Sequence, residues 1–430
     1  MKILIVGGGG REHAIAWKLS RDDSGHNLFC APGNAGTAQI AVNLPISAAD
    51  TVALCDWAVR ARPDLTVIGP EAPLCAGLTD LLEAEGLRVF GPSKEAARLE
   101  GSKIFAKEIM LAAGVPTAKA EFFTDAEIAL SYARAEGAPL VVKADGLAAG
   151  KGVMVCATLD EVESAVNSIL RDACFGEAGK RILIEECLEG EEVSIMALVD
   201  GEHFITLAPS QDHKRACDGD IGPNTGGMGA YSPTGAVRDE HWPVIERDVF
   251  GATLEELKKR GVRYKGVLYA GIMITKNGPK VLEFNCRFGD PETQVVLSRM
   301  ESGLLPAIEA CVAGDLKPEL VKWRTDHAVC VVMTAGGYPC KYTKGSVISG
   351  LEKRFSGDAL IFHAGTAVKD GSVVTAGGRV LGVTALAPTL GDAIRDAYSA
   401  VSGIHFDKAA FRKDIAFREM GRRNTPGEIK

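Results

Sequence analysis

The stretch Lys143-Ala144-Asp145-Gly146-Leu147-Ala148-Ala149-Gly150-Lys151-Gly152-Val153 sets two lysines and three glycines between two short apolar, β-branched runs, 139–142 and 153–156. Such runs read as adjacent strands, and what joins them as a glycine-rich loop. Gly146, Gly150 and Gly152 let the backbone approach an oxyanion with no Cβ in the way, and Lys143 and Lys151 add two cationic heads; the ligand chemistry that fits is a polyphosphate. The loop is not a Walker A loop, because Lys151 is followed by Gly152 instead of Ser or Thr, and a strand follows where a helix would begin. A mobile surface turn would have the same composition, so the reading depends on polar clusters further along.

Three such clusters follow. Glu185-Glu186-Cys187-Leu188-Glu189-Gly190-Glu191-Glu192 reads as a turn between strands holding five carboxylates, an acidic patch whose place after a phosphate loop suggests adenosine recognition. Residues 210–235 show no helical or strand period, and loops of that length inside compact domains tend to be functional. They contain Asp212-His213-Lys214-Arg215 and the nearly uncharged run Gly222-Pro223-Asn224-Thr225-Gly226-Gly227-Met228-Gly229-Ala230-Tyr231-Ser232-Pro233. Finally, a strand ends in Glu283-Phe284-Asn285-Cys286-Arg287-Phe288-Gly289-Asp290-Pro291-Glu292-Thr293, where alternation puts Glu283, Asn285 and Arg287 on one face. A carboxylate and an amide oxygen two residues apart on one face are hard ligands suited to Mg²⁺ carrying phosphate.

The elements that position these groups are legible in outline. Residues 2–6 form a buried-type strand leading through Gly7-Gly8-Gly9-Gly10 into a helix, but a dinucleotide fingerprint fails, since its third glycine falls on Glu12 and the second strand ends in Ala31-Pro32-Gly33 without a carboxylate. Strands and helices then alternate to residue 90, giving a small open parallel sheet whose carboxyl edge carries Asn34-Ala35-Gly36-Thr37 and Gly69-Pro70-Glu71. A helix at 102–113 carries Lys103 and stops at Gly114-Val115-Pro116. An α+β unit containing the glycine loop follows, then strands 266–275 and 279–284 paired across Lys276-Asn277-Gly278, and short strands with glycine turns beyond Trp323. The expected fold is α/β and α+β multidomain: an N-terminal open parallel sheet (1–102), a two-lobed core (103–325) with a flap over about 118–190, and a small β-rich C-terminal domain (326–430).

The composition, 46% hydrophobic and 24% charged over 430 residues, suits a soluble protein of several packed domains. A formal charge of -8 argues against nucleic acid or an anionic membrane as partner. The eleven cysteines include no Cys-x-x-Cys pair and sit mostly in apolar contexts, as reduced thiols of a cytoplasmic protein do.

Together these blocks closely resemble the phosphoribosylamine–glycine ligases of the ATP-grasp superfamily. The likeness runs from Gly9-Arg11-Glu12-His13 through Phe362-His363-Ala364-Gly365-Thr366 to Arg412-Lys413-Asp414-Ile415, essentially the whole chain. It departs at Gly8, where relatives often carry asparagine, and at 266–275, which offers no second metal carboxylate. The resemblance implies ligation of glycine to 5-phosphoribosylamine with ATP, through glycyl phosphate, in purine synthesis. It implies that Lys103 and Lys143 meet the α- and β-phosphates, that Gly146, Gly150, Lys151 and Gly152 form the flap, that Glu185, Glu186 and Leu188 meet adenine, and that Glu192 holds the ribose. Lys214, with Asp212 beside it, would meet the transferring phosphoryl group, Arg287 the glycine carboxylate and Asp290 its ammonium. Gly9, Asn34, Ala35, Gly36, Thr37, Pro70, Glu71 and Asn224, Thr225, Gly226, Gly227, Met228 and Gly229 would line the ribosylamine site, its phosphate held by backbone N–H groups. Glu283 and Asn285 would hold Mg²⁺ or Mn²⁺. A monomer or weak dimer is expected. The competing expectations are another ATP-grasp ligase or carboxylase, which bicarbonate-driven turnover would reveal, and a nucleotide sensor without chemistry.

Overall fold

The computed structural model describes residues 1–22, 25–147, 152–355, 357 and 359–423. Gly150 and Lys151 of the expected flap lie outside the described residues.

The N-terminal strands Lys2–Gly7, Asn27–Pro32, Val42–Asn43, Leu65–Ile68 and Val89–Phe90 form a parallel sheet in the order third, second, first, fourth, fifth. Ile3, Leu4, Ile5 and Val6 are fully buried because helices cover both faces, which is why this strand reads as an unbroken apolar run. The strand order reverses between Lys2–Gly7 and Leu65–Ile68, so the loops after them, at Gly8–Gly10 and Gly69–Glu71, meet at the crevice where open α/β sheets take ligands. The helical segment after Leu65–Ile68 is divided into two helices, Glu71–Ala76 and Leu78–Ala84, at Gly77 with φ +90°.

The chain then builds two four-stranded antiparallel sheets. The first orders Ala120–Phe123, Ile182–Glu186, Leu140–Ala144 and Val153–Cys156, with helices Ala126–Glu136 and Leu159–Val166 packed on it. Asp125 and Thr158 cap those helices, accepting from Ile128 N and Glu161 N. The second sheet orders Phe204–Thr206, Glu191–Val199, Gly266–Thr275 and Gly278–Asn285. Its register pairs Glu192 with Met273 and Gly271 with Glu283. A Cβ on Gly271 would sit 3.4 Å from Glu283 Cγ and 3.8 Å from Glu192 Oε1, so the glycine leaves both carboxylates open to one space.

The segment 210–235, expected to lack strands, contains four: Gln211–Asp212, Arg215–Cys217, Ile221–Asn224 and Gly229–Ser232. Gly229–Ser232 is buried along its length because it pairs with His327–Thr334, nearly a hundred residues on; a partner that remote leaves no local period to read. The five-stranded sheet so formed orders Gln211–Asp212, Gly229–Ser232, His327–Thr334, Arg379–Ala387 and Leu360–His363, backed by helix Leu390–Ser402. Helix Glu292–Arg299 is buried at all its positions, wedged between helix Gly10–Asp22 and this sheet. Among the described residues no helix is long and apolar enough to cross a membrane.

Candidate active site

Glu283 lies where the two antiparallel sheets approach, since Lys143 of the first donates to Leu282 O of the second. Burial would raise its carboxyl, but Lys214, Lys143, Lys103 and Arg287 together hold it below the usual carboxylate range. Four cations from four separate elements thus converge on one acid. Lys103 opens helix Lys103–Ala113 and donates to Gly146 O at 2.9 Å. Its ammonium is depressed first by burial, with Glu283 opposing and Lys143 reinforcing the shift. Ser102 caps the helix by accepting from Phe105 N, and donates to Asp145 Oδ1 at 2.8 Å, so the glycine-loop strand and the Lys103 helix are pinned together. Lys143 donates to Leu282 O at 3.0 Å, one residue from Glu283. Gly146 has φ +138°, and Gly152 O accepts from Ala144 N at 2.8 Å to close the base of the loop.

Glu185 is corrected by the structure. It lies in strand Ile182–Glu186 instead of a solvated turn, and is 2% exposed between Lys143 Nζ at 2.6 Å and Lys107 Nζ at 2.8 Å. The need to neutralise two inward-facing lysines explains why this acid is buried. Glu186 does reach the surface, paired with Lys280 at 2.9 Å, and Leu188 beside it is half-buried.

Lys214 pairs with Glu192. Burial would lower the ammonium, but Glu192, Asp212, Tyr269 and Glu283 raise it well above its ordinary value. Asp212 is pushed up to about 7, by burial first, with Lys214 opposing and Glu292 and Glu192 adding to the rise. Tyr269 OH donates to Glu292 Oε1 at 2.9 Å, as does Ser194 Oγ at 3.1 Å, so the acid that raises Asp212 most is fixed in place.

Arg287 is fully engaged. Its Nε donates to Glu71 Oε2 at 3.2 Å, Nη2 to Glu100 Oε1 at 2.8 Å and Asn285 Oδ1 at 3.2 Å, and Nη1 to Phe288 O at 3.3 Å. Glu100 also accepts from Cys286 N at 2.8 Å, which locks the end of the Glu283 strand to the N-terminal domain. Asp290 faces Arg379 Nη2 at 3.3 Å and accepts from Gln294 Nε2 at 2.9 Å. Burial would raise Asp290; Arg379 and Arg11 hold it low.

The expected backbone cradle for phosphate is also corrected. Gly9 N donates to Glu12 Oε2 at 2.6 Å, Asn34 N to Thr37 Oγ1, and Gly36 N and Thr37 N to Asn34 Oδ1. Asn34 Nδ2 ties this turn to Gly8 O and His363 O, while Ala35 is buried and Pro70 precedes the Glu71 helix. In the second loop Thr225 N donates to Lys214 O, Gly226 N to Tyr338 OH, Gly227 N to Thr225 Oγ1 and Met228 N to His213 O; Asn224 and Gly229 sit in paired strands. These donors satisfy the loops themselves, as buried backbone must. Arg379, absent from the sequence-based set, donates through Nη1 to Gly226 O at 2.6 Å and Asp290 O at 2.7 Å and so sets a cation beside this loop.

Among the described residues no three or more His, Cys, Asp or Glu side chains form a metal cage. Glu283, held ionised, and the Asn285 amide oxygen are a hard pair that fits a divalent cation sharing its remaining positions with phosphate oxygens and water.

Comparison with known proteins accounts for this arrangement. Residues 1–100, 101–293 and 328–418 match, in turn, the N domain, the ATP-grasp (A) domain and the C domain of phosphoribosylglycinamide synthetase. The chain belongs to the phosphoribosylglycinamide synthetase family. It is 50% identical over 427 residues to a phosphoribosylamine–glycine ligase of Escherichia coli K12, covering 98% of this chain and 99% of the relative. It is 49% identical over 425 residues to that of Pseudomonas aeruginosa, at 98% and 99% coverage. The crystal structure of the Thermotoga maritima phosphoribosylamine–glycine ligase aligns with TM-score 0.85 and 37% identity over 97% of this chain and all of that one. Biotin carboxylase from Campylobacter jejuni shares the fold at TM-score 0.76 and 17% identity, over 97% of this chain and 98% of that one. Within the synthetase family assignment, the site spans all three matched regions: Glu71 and Glu100 come from the first, Glu283 and Arg287 from the second, and Arg379 from the third.

Proposed function

We propose that this chain joins glycine to 5-phosphoribosylamine with ATP, giving glycinamide ribonucleotide, ADP and phosphate by way of glycyl phosphate, in purine synthesis in the cytoplasm. The observation that carries the proposal is the half-buried acid Glu283, held below the usual carboxylate range by Lys214, Lys143, Lys103 and Arg287. A nucleotide phosphate entering among those cations meets charge already oriented and needs little reorganisation.

Lys103 and Lys143 face the nucleotide phosphates, with Gly146 and the rest of its loop above them, and Glu186 and Leu188 border the adenine end. Mg²⁺ or Mn²⁺ held by Glu283 and Asn285 would neutralise phosphate oxygens as ATP binds. A glycine carboxylate oxygen attacks the γ-phosphorus while the bond to the ADP oxygen breaks, and Lys214 balances charge on the moving phosphoryl group. The amine of phosphoribosylamine then attacks the acyl carbon, phosphate leaves, and Asp212, poised near neutrality, accepts the proton the new amide nitrogen loses. Arg287 takes the glycine carboxylate by exchanging its contact with Glu71, and Asp290 holds the ammonium. The ribosylamine phosphate belongs on the Arg379 side of the cleft, where Gly9, Asn34 and the Gly226 loop shape the wall. A monomer or weak dimer suffices, since one chain supplies every group named.

The test is ADP formation by the purified chain with glycine and phosphoribosylamine, against bicarbonate with biotin. Turnover only with the former pair is expected; turnover driven by bicarbonate would replace this substrate assignment with a carboxylase.

A further inference from the structure

Lys107 lies one turn after Lys103 on helix Lys103–Ala113, yet its side chain points away from solvent and is 1% exposed. A buried ammonium needs partners for its protons and its charge, and Lys107 has two hydrogen-bond acceptors and one ion-pair partner. Nζ donates to Thr117 Oγ1 at 2.7 Å and Ala118 O at 3.2 Å, and stands 2.8 Å from Glu185 Oε1. Thr117 passes the tether on, donating to Val281 O at 2.8 Å on the strand that bears Glu283. The other oxygen of Glu185 is 2.6 Å from Lys143 Nζ.

Two lysines therefore share one carboxylate, and the group carries a net positive charge. Were Glu185 to face Lys143 alone, that pair would be neutral, and Lys143 would offer a phosphate a dipole in place of a charge. Lys107 is walled off from the cleft and cannot touch the nucleotide itself. We infer that Lys107 is a positioning residue that neutralises Glu185 from behind, so that Lys143 keeps its charge for the nucleotide phosphates and its place against Leu282 O. The inference rests on the nucleotide-binding reading of the cleft and adds a group outside it that sets the cleft's charge.

Charge balance supplies the test. Lys107→Met keeps the volume and removes the cation; the double variant Lys107→Met with Glu185→Gln removes both charges and frees Lys143 again. ADP affinity by calorimetry and steady-state kinetics in ATP are read for both, with far-UV circular dichroism to confirm folding. For Lys107→Met the ADP Kd and the KM for ATP should rise about tenfold or more while kcat at saturating ATP falls less than about threefold, the pattern of lost ground-state binding. In the double variant the Kd should return to within about threefold of wild type, because the two losses cancel electrostatically. A purely packing role predicts the opposite, a double variant as weak as the single or weaker, and that result overturns the inference, as does a wild-type Kd in Lys107→Met. If Lys107→Met fails to fold, the charge-matched double variant decides alone: a Kd within about threefold of wild type supports the relay and one more than about tenfold weaker refutes it. Wild type that binds no ADP, or binds it unaffected by Lys143→Met, overturns the nucleotide reading itself.

Discussion

Replacing Arg412 by methionine cuts the tie between the C-terminal segment and the hairpin, Arg215–Cys217 with Ile221–Asn224, that follows directly after Asp212 and Lys214. The Arg412 side chain is fully buried; Nε and Nη2 donate to the two oxygens of Asp414, each at 2.7 Å, and Nη1 to Asp220 Oδ1 at 2.7 Å and Arg215 O at 3.2 Å. Burial would raise Asp220, but His213, Arg412 and Arg418 pull it far below the usual carboxylate range. Breaking a buried pair by removing one partner costs about 3–5 kcal/mol. Asp220 keeps Arg418 and Asp414 keeps Gly219 N, so the low end, about 3 kcal/mol, applies. Hydrogen exchange reads this locally, at the Ala416 N–H that donates to His213 Nε2 at 3.0 Å. A loss of about 3 kcal/mol should speed its exchange about 150-fold, and kcat should fall about tenfold as the hairpin beside Lys214 loosens. The pH dependence has a definite sign. Carboxylates depressed in the folded state stabilise it above their unfolded pKa of about 3.9 and lose that contribution as pH falls through the folded values. Wild type should therefore hold Ala416 protected at pH 5 and release it in stronger acid, while the variant exchanges about 150-fold faster at pH 5 and shows a smaller further change in acid. Exchange and kcat both within about twofold of wild type would refute the view that this segment braces the hairpin beside Lys214.

Glu283→Ala should cut ADP formation about 100-fold or more at saturating ATP with folding intact, and wild-type turnover would remove Glu283 from the metal and phosphate site. Asp212, raised to about 7, costs stability progressively as pH climbs from about 4 to about 7, so Asp212→Asn should gain stability over wild type across that window and not below it. Equal urea midpoint differences at pH 4 and pH 8 would contradict the shift. His13 and His363 are lowered to about 3 and about 4 by burial, with His363 also disfavouring the charge on His13. The unfolded chain takes up their protons first, so stability is lost as pH falls from 6.5 toward 4; thermal midpoints should show that slope, and His13→Asn should flatten it, leaving an oxygen to accept from His363 N.

The sequence showed most where the chemistry is local. The strand Gly266–Thr275 begins and ends where the sequence reading put it, and Lys103, Lys143, Lys214 and Glu283 do converge. What stayed hidden depends on remote partners. Glu185 reads as one of five carboxylates in an acidic turn until two lysines from other elements enclose it, and the sequence singled out no role for Lys107. Arg379 opens a strand far from the glycine loop it grips, so no spacing links the two. Asn34 was expected to line the ribosylamine site with its backbone N–H toward phosphate, but that N–H donates to Thr37 Oγ1 and its side chain shapes the turn.

The most direct measurement follows one oxygen atom. With glycine labelled at both carboxylate oxygens by ¹⁸O, phosphoribosylamine and ATP, the inorganic phosphate released should carry a single ¹⁸O, because the carboxylate oxygen that attacks the γ-phosphorus leaves with it. Phosphate containing no label, formed in step with glycinamide ribonucleotide, would mean that no phosphoryl group is handed to glycine in this cleft.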